Sequence, residues 1–134
     1  VPPVSLVRAA SLDGTVPYAY AAVTAPGSLV FTAGACPLDE AGDVVAVGDV
    51  AGQAAVVMAN LEVALAAAGA GLDDVAKSTV YVASSRREDL VAAWDVVRAA
   101  FGDHDAPSTL LGVAALGFPD QLVEVEAVAA LPPA

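Results

Sequence analysis

An α+β fold, a mixed sheet with two helices on one face, is what this sequence predicts, on three observations. Short segments of β character open and close the chain, and two longer segments of helical period lie between them. A single β-branched segment separates those two helices, which is the pattern of a crossover connection. No third helix is available to cover the opposite face of the sheet, and 57% of the residues are apolar against a usual ~45–50%. A domain of 134 residues leaves much of its surface in water, so the excess is expected to be buried between copies of the chain.

The elements follow in order. Val1 to Pro3 reads as an extended lead into an edge strand over Ser5 to Ala9. Asp13-Gly14 is a turn signal, and β-like runs follow at Ala19 to Thr24 and Leu29 to Ala33, separated by Pro26-Gly27, so the opening reads as a small meander. Gly34-Ala35-Cys36-Pro37 ends it in a loop, because Pro37 pushes Cys36 out of the helical region. Ala41-Gly42-Asp43 is a further hairpin-type turn.

From Asp49, a plausible N-cap, the period changes. Val50, Ala54, Val57, Met58, Leu61, Leu65 and Ala68 recur on one helical face, and Gly69 or Gly71 supplies the stop. Asp73-Asp74-Val75 makes a turn, and Lys77 to Ala83 reads as a strand. Ser85 with Glu88 has capping-box spacing for a second helix, whose inner face is Leu90, Ala93, Trp94, Val97 and Phe101 and which ends near Gly102. His104 and Pro107 fall in a loop before the last two strands, Thr109 to Leu116 and Gln121 to Ala130. The whole reads as one domain, residues 1–134, with no internal repeat.

Composition excludes several functions. The formal charge is −11, sixteen acids against five cations, Arg8, Lys77, Arg86, Arg87 and Arg98. Nucleic acids and anionic membranes are bound largely through Lys and Arg, so neither is an expected partner. One cysteine and one histidine exclude a disulfide framework and a Cys/His zinc site, so no metal and no cofactor are expected. A reducing cytoplasm fits this usage. No signal-peptide pattern opens the chain, and Asn60 and Glu62 interrupt the Ala-rich run, so no spanning helix is expected.

Chemistry is expected in the last strand and the loop before the fifth. In an extended strand Glu124 and Glu126 share a face with Leu122 and Val128, opposite Val123, Val125 and Ala127. Carboxylates in an apolar run need specific partners, because burial of an unpaired charge is costly. Cys36 has no histidine or cation near it in sequence to generate a thiolate, and reads as a small buried or pocket-wall residue rather than a nucleophile. His104, between two aspartates, reads as a solvated loop residue, and Trp94 as core.

The chain resembles the YjgF/RidA family of reactive-intermediate imine deaminases. The resemblance is carried by Pro17-Tyr18, by Leu29-Val30-Phe31-Thr32-Ala33-Gly34 with Pro37-Leu38, and by Asn60-Leu61. It continues through Ala68-Gly69, Asp74-Val75, Lys77-Ser78-Thr79-Val80-Tyr81-Val82, Ala106-Pro107-Ser108-Thr109 and Val123-Glu124-Val125-Glu126-Ala127-Val128-Ala129. It implies a chorismate-mutase-like fold, a homotrimer with sheets inward and helices outward, and a small-molecule cleft between neighbouring subunits. It also implies that Glu124 positions the hydrolytic water and that Tyr18 or Tyr20 is the pocket tyrosine. Gly34, Ala35 and Cys36 then offer backbone groups to the ligand, and Pro107, Ser108 and Thr109 form its loop. Glu126 reads as structural. Active members carry an arginine where this chain has Pro107, which has neither charge nor N–H and cannot hold a carboxylate. The family also often places an asparagine where this chain has Trp94.

Two readings remain open on the sequence. One is a trimeric hydrolase acting on an imine, an enamine or a related substrate not anchored by the usual arginine. The other is a non-catalytic trimer that binds a small molecule or another protein. Ribonuclease activity, sometimes attached to the family, conflicts with the −11 charge.

Overall fold

The computed structural model describes residues 2–133 and has the α+β architecture expected. Four strands form a mixed sheet: β3 (Leu29–Phe31), β4 (Val75–Val82), β5 (Ser108–Gly112) and β6 (Val123–Ala130), in the order β3-β6-β4-β5. β6 runs antiparallel to β3 and β4, and β4 runs parallel to β5 through the intervening helix. The helices are α1 (Val50–Ala67) and α2 (Arg87–Phe101).

Each helix starts and stops for a local reason. The Asp49 carboxylate accepts from the Gly52 N–H at 2.9 Å and caps α1, and Gly69, at φ 84°, takes the left-handed conformation that ends it. At α2 the expected Ser85–Glu88 box is not formed. The N-cap is Arg86, with no side-chain cap bond, and Ser84 braces the turn before it: its hydroxyl accepts from Arg86 N–H at 3.0 Å and donates to the Asp89 carboxylate at 2.7 Å. Gly102 at φ 64° stops the helix.

The core lies between the helices and one face of the sheet. Ala54, Val57, Met58, Leu61 and Leu65 of α1 and Ala93, Val97 and Phe101 of α2 pack on Val80 and Val82 of β4 and Val123, Val125 and Ala127 of β6. The period-2 alternation of β6 therefore sends Val123, Val125 and Ala127 into the core and Glu124, Glu126 and Val128 to the other face. By length and composition alone α1 would suffice to cross a membrane, Asn60 and Glu62 notwithstanding. Its buried face, Gln53 included, packs as a core helix.

The opening meander is not formed. β1 (Val4–Val7) and β2 (Ala21–Thr24) make a separate two-stranded antiparallel ribbon, while β3 pairs with β6, about a hundred residues away in the chain. Of the extended lead, Val1 lies outside the described residues. Opposite the helices, the free face of the sheet leaves Phe31 72% exposed beside Lys77, Thr79 and Glu126, which together line a pocket of about 210 Å³.

Candidate functional site

Glu124 sits on the free face of β6, opposite Tyr81 of β4, and three neighbours fix its carboxylate. The Cys36 thiol donates to Oε1 at 3.3 Å, and the Gln121 side-chain amide donates to the same oxygen at 3.2 Å. The third neighbour is Gly34, whose absent Cβ would collide with the Glu124 carboxyl group. The loop that carries Gly34, Ala35 and Cys36 is held against β6 by reciprocal backbone bonds between Ala35 and Val125, at 2.8 and 3.2 Å. From α1, Asn60 donates to the carbonyls of Cys36 and Leu38 at 2.9 and 3.0 Å, so the helix sets the height of the loop.

Burial first, then the hydrogen bond to Glu124 and its charge, push the Cys36 thiol up to about 11, against which the Gln121 amide acts weakly. At neutral pH Cys36 is a thiol that donates, not a thiolate that attacks.

Gln121 was invisible as a site residue in the sequence, where it is one more polar residue at a strand start. It is 4% exposed, and all its polar atoms are used: besides Glu124 it donates to Val123 O at 3.2 Å and accepts from Phe118 N–H at 3.1 Å. Gln53 of α1 clamps the same turn, donating to Asp120 O at 2.9 Å and accepting from Leu122 N–H at 2.7 Å. The turn that delivers Glu124 is thus pinned by two buried amides.

A second cluster gathers at the outer edge of the sheet. Pro17, Tyr18, Trp94, Ser108, Thr109 and Leu110 line a pocket of about 370 Å³. Tyr18, not Tyr20, faces this space; the Tyr20 hydroxyl donates to Asp13 O at 2.7 Å and ties that ring to the turn. Trp94 is half-buried and lines the pocket as well as packing on the core. Ser108 pairs with Ser78 at 2.8 Å, and Pro107 is buried, its carbonyl accepting from Ser78 N–H at 3.0 Å.

One chain does not bring the two clusters together. Ser108 is in register with Ser78 and Glu124 with Tyr81, three residues farther along β4, so Ser108 and Glu124 take opposite faces of the sheet. They are also about 10 Å apart along the strands and two strand spacings of about 4.8 Å across. Thr109 alone of the loop turns to the free face, where Lys77 Nζ donates to its hydroxyl at 2.7 Å.

The remaining titratable candidates are accounted for locally. Glu126 accepts from the Tyr81 hydroxyl at 2.6 Å, a bond that holds the phenol protonated above its usual range, in keeping with a structural role. His104 is not merely solvated, as expected: Nε2 donates to Val75 O at 2.7 Å and ties the loop after α2 to the start of β4. Arg8 bonds Asp105 at 3.1 Å and Val16 O at 2.8 Å. No group of three or more metal-ligating side chains occurs among the described residues.

A family model described as endoribonuclease L-PSP matches residues 9–131. A RutC family protein of Pyrococcus abyssi is 36% identical over 104 residues, 77% of this chain and 79% of the relative. The 3-aminoacrylate deaminase RutC of Acinetobacter baylyi is 32% identical over 119 residues, 87% and 92% of the two chains. Among solved structures, a Yersinia pestis protein of the conserved Rid family superposes with a TM-score of 0.90 at 29% identity, over 96% of this chain and 99% of that one.

Proposed function

This chain belongs to the endoribonuclease L-PSP family, the YjgF/RidA family, and on that premise we propose that it is a hydrolase of imines or enamines whose site is completed between neighbouring copies of a homotrimer. Family membership supports the general hydrolase role. The observation that carries the site is the split of its residues. Glu124 with the Gly34-Ala35-Cys36 loop lies on one face of the sheet, and Tyr18, Ser108 and Thr109 lie around a pocket at its edge. Two half-sites on one chain are what a cyclic trimer needs, since the edge of one subunit then meets the free sheet face of the next.

In this reading Glu124 orients a water. The two donors from Cys36 and Gln121 both occupy Oε1, which leaves Oε2 for the water. A water so held attacks the C=N carbon, the nitrogen takes up a proton, and collapse of the carbinolamine releases ammonia and a carbonyl compound. Tyr18, Ser108 and Thr109 of the adjoining subunit, with the backbone around Ala35 and Cys36, hold the substrate. Tyr20 is left to the turn it braces.

Ammonia release from a panel of carboxylate-bearing and uncharged imines tests the proposal. Wild-type protein is expected to exceed the solvent rate on at least one of them, and Glu124→Ala to lose about 10²-fold or more. No acceleration on any member, with Glu124→Ala equal to wild type, removes the reading. Buried Pro107, at the place of the family arginine, favours the second reading, a non-catalytic small-molecule-binding or protein-interaction trimer. Binding of a metabolite without turnover would establish it.

A further inference from the structure

The pocket at the edge of β5 has the walls of a site for a flat, uncharged ring. Pro17, Tyr18, Trp94 and Leu110 supply apolar and aromatic surface, and the hydroxyls of Ser108 and Thr109, bonded to Ser78 and Lys77 on the two sides of β5, are its polar side-chain atoms. Its volume, about 370 Å³, suits a ligand of one ring and a short polar substituent. None of its lining residues is charged, so nothing in the wall compensates a carboxylate taken out of water.

Of the cations around it, Lys77 and Arg8 are engaged elsewhere. Lys77 approaches closest, but its ammonium donates to Thr109 and lines the sheet-face pocket beside Glu126. Arg98, one turn along α2 from Trp94, borders a narrow crevice that adjoins the pocket at Pro17 and Trp94, and there it is accompanied by the opposite charge of Asp105. Arg8 is paired with Asp105. The chain as a whole carries −11, and the carboxylate assigned to the other half of the site is Glu124, so the field also opposes an anion.

We infer that the substrate or ligand of this cleft is an uncharged, planar aromatic molecule whose ring lies against Tyr18 and Trp94 and whose C=N or amide-like end meets Ser108 and Thr109. The inference rests on the cleft of the proposed function but not on turnover. The ring quadrupoles of Tyr18 and Trp94 favour offset or edge contact with another ring, and the pocket replaces ion pairing by area as its source of affinity. Selection against carboxylates then comes from the desolvation they would suffer in an uncharged wall, not from a clash.

Benzamide and benzoate, which share a ring and differ in charge, are the test compounds. Trp94 is the sole tryptophan, so its fluorescence reads occupation of the pocket directly in the full chain. Benzamide is expected to bind at least tenfold more tightly than benzoate. By calorimetry, Trp94→Ala is expected to weaken benzamide at least fivefold. Equal or tighter binding of benzoate overturns the inference, as does saturation by neither compound or a benzamide affinity indifferent to Trp94→Ala. Benzamide selectivity in a protein that hydrolyses no imine would sink the hydrolase proposal and leave this one standing. Turnover of a carboxylate-bearing imine with benzoate preferred would do the reverse.

Discussion

Replacing Gly34 by alanine would set a methyl group against the Glu124 carboxyl, which must then swing away from Cys36 and Gln121. Backbone at Gly34 is otherwise ordinary, so Gly34→Ala is expected to reduce turnover about tenfold or more while changing the melting temperature little. Gln121→Leu acts through the opposite balance. It leaves Phe118 N–H and Val123 O short of a buried partner and frees Glu124, so urea melts should show a loss of about 1–3 kcal/mol together with a fall in kcat.

Cys36 reports on Glu124 without any substrate. With the thiol pushed up to about 11, alkylation by iodoacetamide should be slow at pH 7 and rise about tenfold per pH unit toward that value. Glu124→Gln removes the acceptor charge and should lower the midpoint and speed the reaction at pH 8. Because the folded value lies above the ordinary 9.0, the protonated thiol favours the folded state fully below pH 9, and that contribution is lost as pH rises through about 11.

Helix α1 both carries the core and sets the site. Leu61→Ala, at a fully buried position, is expected to cost about 2–5 kcal/mol in denaturant melts. Asn60, the residue before it, instead holds the carbonyls of Cys36 and Leu38, so the helix transmits its position to the loop beside Glu124. Elements of this kind were legible in the sequence, because a long single period, an Asp cap and a Gly stop are all local signals. The alternation of β6 was equally legible, and it placed Glu124 and Glu126 on the free face.

What was not legible depended on distant partners. Nothing near Leu29 says that β3 joins β6 rather than β2, since hydrogen-bonding edges carry no sequence label. The expected box at Ser85 gave way to Ser84, whose hydroxyl reaches both Asp89 and the N–H of Arg86, the N-cap residue of α2. Tyr18 and Tyr20 are equivalent in the sequence, and the Asp13 carbonyl claims one of them in the fold. His104 gained its role from Val75, 29 residues away, whereas the bonds of Gln121 to Phe118, Val123 and Glu124 are local and depend on the conformation of the turn before β6.

The whole molecule leaves a sheet face on which Phe31 is 72% exposed and Leu29 and Leu111 are 47% and 41% exposed. Sedimentation is expected to show a trimer, and Phe31→Glu to dissociate it, since a charge there would be buried without a partner in the assembly. The same assembly is what unites Glu124 of one subunit with Tyr18 and Ser108 of the next. Subunit mixing addresses that union directly. Glu124→Ala and the double variant Tyr18→Ala, Ser108→Ala should each be inactive alone on an imine that the wild type hydrolyses. Exchanged into mixed trimers, they should recover roughly a quarter of wild-type activity by random assortment in a cyclic trimer. Mixed trimers that form and stay inactive, or a monomeric protein with full activity, would contradict a site shared between subunits.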